Sequence, residues 1–238
     1  MERENVISFL TGLRSVVLRS LAAVAVSGIV TFFCAKDVIR FLMKTADNLR
    51  VCYLTPPEVF FTTVDIAFYG GVFFAFPIIA CLVWRMLKGM LNIKPICGYL
   101  FILSAIILFY GGSVFCYYLV LPSGISFLLG YQGDVVRAMI SVERFVLFCI
   151  AMIFAFGVTF EIPIIMMMLS KIGIVTSQVL VRTRRYAIIA VTVAAALITP
   201  TPDVYNMALL AVPMYVLYEA GIVLMKLTEK KGQAEKMS

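Results

Sequence analysis

The chain contains no histidine, a single tryptophan, and charged residues at only 14% of its 238 positions. Without imidazole, zinc, haem and most transition-metal sites lose their commonest ligand. The six cysteines, at positions 34, 52, 81, 97, 116 and 149, form no CxxC pair that would restore a metal site. They read as small apolar fillers of helices. Cys34 and Cys52 fall on the same side of the chain's expected topology, which leaves a disulfide open there. A nucleophile elbow, a P-loop, paired catalytic carboxylates and a dinucleotide fingerprint are all missing. These absences point away from an enzyme, a metal site and a bound cofactor, and leave transport or assembly.

What the chain has in excess is apolar surface. Hydrophobic residues make up 63% of it and the mean hydropathy is +1.03. A soluble domain of this length is only about half apolar and must cover its surface with polar groups. Lipid is therefore the solvent for much of this protein. The net charge of +7 does not indicate nucleic acid, because the basic residues sit between apolar runs rather than in a patch.

A helix needs about 20 apolar residues to cross a bilayer. Six spans are expected, at about 16–35, 64–84, 96–120, 145–169, 184–199 and 204–225, in one membrane domain that takes in all of 1–238. Leu121-Pro122 is expected to stop the third. Thr199-Pro200-Thr201-Pro202-Asp203 divides the fifth from the sixth, since two prolines two apart end a helix. The fifth span, of about 16 residues and roughly 24 Å, is short for a bilayer, so local thinning or burial against neighbours is expected. Ala23-Val24-Ala25 resembles a cleavage site, but Arg19 interrupts the preceding stretch, so the first span is read as uncleaved. With the N-terminus inside, fourteen of the twenty Lys and Arg residues lie in inner segments, which places both termini in the cytoplasm. The outer segments, about 36–63 and 121–144, form a cap, with an amphipathic helix expected over Asp37–Leu49 and an interfacial stretch over Ser123–Leu129. The charged tail from Thr228 is expected to be disordered. Gly70-Gly71 and Gly111-Gly112 are expected at close helix contacts.

Four acids lie in or beside apolar runs: Asp65, Glu161, Asp203 and Glu219. A carboxylate at the centre of a membrane costs about 2.5–3.5 kcal/mol on insertion scales, so it is rarely idle. Glu161 is the deepest, and Pro163, which cannot donate to the carbonyl of Thr159, should bend the helix beside it. Such a polar notch suits a cationic ligand, a proton path or a partner helix. Glu219 is placed to pair with an inner Arg or Lys, and Asp203 to cap the sixth span.

Six stretches together resemble the TatC family, the C subunit of the twin-arginine protein translocase, over about residues 9–224. Phe9-Leu10-Thr11-Gly12-Leu13-Arg14 stands where the family has His-Leu-x-Glu-Leu-Arg, and Pro56-Pro57-Glu58-Val59-Phe60-Phe61 is similar to its Pro-x-Glu-x-Phe. Residues 156–163, Phe-Gly-Val-Thr-Phe-Glu-Ile-Pro, match its Phe-Gly-x-x-Phe-Glu-x-Pro signature. Arg184-Arg185-Tyr186, the 199–203 turn and residues 211–219 match the ends of its fifth and sixth spans. The resemblance implies an all-α, six-span, glove-like concave membrane protein with short fifth and sixth spans. It implies recognition of twin-arginine signals on folded precursors, single-span TatA and TatB partners in a larger oligomer, and export powered by the proton-motive force across the cell inner membrane.

Residue by residue, the resemblance implies that Arg14 shapes the inner recognition surface and Glu161 lines the cavity. It gives Glu58, Pro163, Asp203 and Glu219 structural and functional roles, and places partner docking near Thr199, Thr201 and Met207. The sequence also departs from the family. Gly12 replaces the glutamate of the first motif, the loop 88–95 carries lysines and no acid, Asp65 replaces a lysine, and Met207 replaces a glutamine. Signal recognition would then fall to other acids, such as Glu2 or Glu4, or be lost. Two alternatives follow: a divergent paralogue that scaffolds a translocase without binding signals, and a small-solute transporter built around Glu161. The transporter would require broken helices at matching places in two halves, and only Pro163 and, more weakly, Pro77 offer them.

Overall fold

The protein is described by a computed structural model over residues 2–44, 51–52, 57–88, 95–130, 140–198 and 204–237. The chain order is α1 (Glu2–Met43), β1 (Val51–Cys52), α2 (Glu58–Lys88), α3 (Pro95–Phe115), a π-helical turn (Cys116–Val120) and α4 (Leu121–Gly130). It continues with β2 (Ile140–Ser141), α5 (Val142–Phe160), α6 (Ile162–Ile172), α7 (Ser177–Arg182), α8 (Arg184–Ile198) and α9 (Val204–Met237). Apart from one two-residue parallel pairing, Val51 with Ile140 and Cys52 with Ser141, the described residues are helical or connecting. The fold is that of an all-helical polytopic membrane protein.

Among the described residues five stretches are long and apolar enough to cross a bilayer: Gly12–Met43, Glu58–Met86, Gly98–Ser126, Val142–Ile172 and Met207–Leu227. Their apolar side chains are widely exposed, as Phe33, Phe68, Leu100 and Val212 illustrate, which is the pattern of a protein solvated by lipid. The fifth expected span corresponds to α8, whose 15 residues reach only about 22 Å.

Several boundaries differ from those expected, each for a local reason. α1 continues to Met43 instead of ending near Ala35, because 36–43 contains no glycine or proline and its apolar residues extend the same helix. The separate cap helix expected from Asp37 is therefore the end of α1 as far as Met43, and 45–49 lie outside the described residues. Pro122 does not stop the third span. The helix widens first, so that the Leu121 N–H donates to the carbonyl of Cys116, five residues back, and the chain continues through Pro122 into α4 without a break. The apolar stretch of α9, Met207–Leu227, has 21 residues, so the sixth span is not short, and the tail beyond Thr228 stays helical to Met237. Cys34 is a free, exposed thiol, so it forms no bridge to Cys52. The turn at 199–203 lies outside the described residues.

The chain divides into two compact units, Met1–Ile106 with Gln132–Phe154, and Ile107–Tyr131 with Ala155–Ser238. The first is built on the crossing of α1 and α2. A methyl group at Gly71 would lie 2.9 Å from both the Gly28 Cα and the Val24 carbonyl oxygen, so the two backbones touch there. The Ser27 hydroxyl sits in this contact, 2.7 Å from the Gly71 carbonyl oxygen. Close backbone approach of this kind drives helix association in lipid, where the hydrophobic effect cannot. In the second unit the latter halves of α3 and α5 pack through Gly112, which faces the Phe160 ring, and Gly157, which faces Phe109 and Ser113. Gly111, expected at a close contact like its neighbour, instead faces open space. Gly71→Ala should therefore destabilise the protein by roughly 1–3 kcal/mol, read as a lower melting temperature in detergent, with Gly111→Ala as the neutral control. Equal melting of the two variants would show that the α1–α2 crossing is not what holds the first unit together.

Candidate functional site

Glu58 stands in the first turn of α2, where the Phe60 and Phe61 amides donate to the Pro57 carbonyl at 3.0 and 3.2 Å to start the helix. Its side chain is buried, 2% exposed, which would be costly for a bare carboxylate. The partners come from 83 and 85 residues away. The Ser141 hydroxyl and the Glu143 amide, the latter at 3.1 Å, both donate to Oε1. Glu143 lies in the first turn of α5, so Glu58 satisfies an N–H that the helix leaves open and places negative charge at the positive end of its dipole. The carboxylate thereby fastens the start of α2 to the start of α5, next to the β1–β2 pair.

Glu161 sits at the interruption between α5 and α6. Its amide donates to Val158 at 3.1 Å, and its own carbonyl accepts from Ile164 and Ile165 at 3.0 and 2.9 Å. Pro163 occupies the first turn of α6, so the proline that breaks the α5 ladder also starts the next helix without wasting a donor. Pro163 is fully buried and lies against Gly221 of α9, where a methyl group would approach its Cα at 3.2 Å. The Glu161 residue is 8% exposed, and its Oε1 accepts no hydrogen bond among the described residues. A buried acceptor without a donor is unusual and marks this point of the helix.

Glu219 joins α9 to α8. Its Oε2 lies 2.7 Å from Nη2 of Arg184, and the Tyr215 hydroxyl donates to its Oε1 at 3.0 Å. The Arg184 and Glu219 side chains are 44% and 30% exposed, which makes this a half-solvated ion pair that sets helix register more than it adds stability. The next residue, Arg185, lays its guanidinium 4.8 Å from the centre of the Tyr186 ring.

A fourth acid, Glu229, was not singled out by the sequence. Its Oε1 accepts from the Ser177 amide at 2.9 Å and the Ser170 hydroxyl at 3.1 Å, and its Oε2 from the Ser177 hydroxyl at 2.5 Å. The Ser177 hydroxyl, foremost among these donors, holds the carboxyl below its ordinary range against the opposing effect of burial. The available signal was spacing: Tyr218, Ile222, Met225 and Glu229 recur every three or four residues along one face of α9.

Of the other residues singled out, Arg14 is exposed on α1, and Asp65 and Met207 are half-buried on α2 and α9. Thr199, Thr201 and Asp203 lie outside the described residues. Arg14 and Glu58 belong to the first unit, while Glu161, Pro163, Met207 and Glu219 belong to the second. Among the described residues no group of cysteines and carboxylates is assembled to hold a metal ion.

Comparison with known proteins gives a consistent family. Residues 8–213 match the family model described as Sec-independent protein translocase protein (TatC). The TatC protein of Carboxydothermus hydrogenoformans is 32% identical over 228 residues, covering 93% of each chain. That of Deinococcus radiodurans is 35% identical, covering 89% of this chain and 82% of its own. The chloroplastic protein of Arabidopsis thaliana is 30% identical over 94% of this chain and 67% of its own. Two crystal structures of the twin arginine translocase receptor TatC align with TM-scores of 0.83 and 0.84, at 32% and 30% identity. They cover 92% and 91% of this chain, and 98% and 99% of theirs. A family model over most of the length, relatives above 30% identity and a shared fold agree: this chain belongs to the TatC family of Sec-independent protein translocases.

Proposed function

We propose that this chain is the receptor core of a twin-arginine translocase, binding twin-arginine signal peptides and exporting folded precursors with the proton-motive force. The observation that carries this reading is the likeness, along nine-tenths of the chain, to crystal structures of the twin arginine translocase receptor. Membership in the family makes it a translocase subunit and not an enzyme.

The finer reading completes the fold. α8 is the fifth of six crossings, its 15 residues matched to a locally thinned bilayer. Both termini face the cytoplasm of a cell with this protein in its inner membrane, in keeping with the excess of Lys and Arg in the segments so placed. Single-span TatA- and TatB-type subunits dock near Thr199, Thr201 and Met207. Arg14 shapes the inner surface, Glu58 orders the outer cap, Asp203 caps the hairpin tip, and Glu161 lines the cavity.

A second reading is favoured by one observation. Gly12 and the loop up to Pro95 lack the acids that would pair with a signal's two guanidinium groups. The chain is then a TatC-like scaffold that has lost recognition. A solute transporter has less support. α2 and α9 run unbroken through Pro77 and Pro213, so among the described residues the interruption at Glu161 has no matching counterpart.

Crosslinking decides between receptor and scaffold. Photoreactive probes beside the twin arginines of a cognate precursor should crosslink to this chain in membranes that contain its small partners, and a twin-lysine precursor should not. Equal or absent crosslinks, with the protein intact, would leave the scaffold reading. For the cavity, Glu161→Ala should abolish export with abundance unchanged. A drop in abundance would instead make Glu161 a structural residue.

A further inference from the structure

Three segments that hydropathy separates meet at one end of the second unit. α6 ends at Gly173, whose φ of 82° residues with a Cβ rarely adopt. The Ile174 amide returns to the Leu169 carbonyl at 3.0 Å, and Thr176 then starts α7. This helix has six residues, too few to hold itself together. Thr176, in the capping position, makes no side-chain cap of its own.

Both deficits are met by α9. Met166, Ile222 and Met225 form a buried cluster, and Val175, Leu180, Val181 and Tyr218 pack on it. The Tyr218 hydroxyl donates to the Leu180 carbonyl at 3.0 Å. One turn beyond Met225, past the apolar stretch that ends at Leu227, the Glu229 carboxylate takes the Ser177 amide and hydroxyl and reaches Ser170 in α6. The cap that Thr176 does not supply is supplied from 52 residues away.

We propose that Glu229 is a positioning residue: from the membrane-distal part of α9 it clamps residues 170–177 and so fixes the α6–α8 connection and the basic residues Arg182 and Arg184 that follow it. The C-terminal helix is thus a brace for this loop. The inference stands on the loop geometry, and it rests on the translocase reading only for what the loop serves.

Amide hydrogen exchange of the full chain in nanodiscs tests it. In Glu229→Ala the amides of residues 177–180 should exchange about tenfold faster or more, since hydrogen bonds to a charged group are the strong ones. Glu229→Gln, which keeps an accepting oxygen, should fall between, and Ser177→Ala should also speed exchange. Glu235→Ala, on the same helix, should not. Trypsin cleavage after Arg182 should rise in the same order. Parental exchange in Glu229→Ala, or the same acceleration in Glu235→Ala, overturns the clamp. Should Glu229→Ala fail to accumulate, unchanged exchange in Ser177→Ala overturns it instead. Failed twin-arginine crosslinking alongside this exchange pattern would refute the receptor reading and leave the clamp standing.

Discussion

A helix that stops, breaks or changes register inside or beside lipid leaves backbone N–H and C=O groups that hydrocarbon cannot satisfy. Much of this structure is the record of how that demand is met. At the start of α5 a buried carboxylate from α2 takes the open amide. At the π-helical turn the Leu121 amide reaches five residues back before a proline that has none to offer. At the α5–α6 interruption the Glu161 carbonyl accepts two amides of the next helix. At α7 the acceptor arrives from α9. Three of the four solutions involve a glutamate residue, two through the side chain and one through the backbone.

This sorts the acids by environment. Glu58 and Glu229 are saturated by hydroxyl and amide donors and act as fasteners. Glu219 shares its charge with Arg184 and a tyrosine across two helices. Glu161 alone combines deep burial with an oxygen that no donor in the described residues fills. Of these carboxylates it is the one with capacity left to bind something else, and this is where the family signature and the physical oddity coincide.

The features readable beforehand were those that local chemistry decides. Hydropathy located five stretches able to cross a bilayer, Pro163 the break beside Glu161, and the excess of apolar residues the lipid environment. The places where expectation and structure part are those that neighbours decide. Pro122 looks like a stop until the preceding turn widens to absorb it. The Thr228 tail looks solvated because its charges are counted without the face, Tyr218 to Glu229, that packs on α7. Gly111 and Gly112 are indistinguishable in sequence, yet only the second meets another helix. The roles of Glu58 and Glu229 depend on partners 52 to 85 residues away, which no window of local sequence contains.

The long separation at Glu58 has a consequence for biogenesis. α1 and α2 can associate as soon as both are in the membrane, since their crossing uses only residues of those two helices. The α5 groups that receive Glu58 do not yet exist then: Ser141 is made 83 residues later. At the ~5–20 residues per second of translation, this is a delay of roughly 4–17 s. Throughout it the carboxylate must remain in water or borrow donors from elsewhere. The nascent protein thus passes through a stage in which its first two helices are made and the α5 groups that receive Glu58 are not.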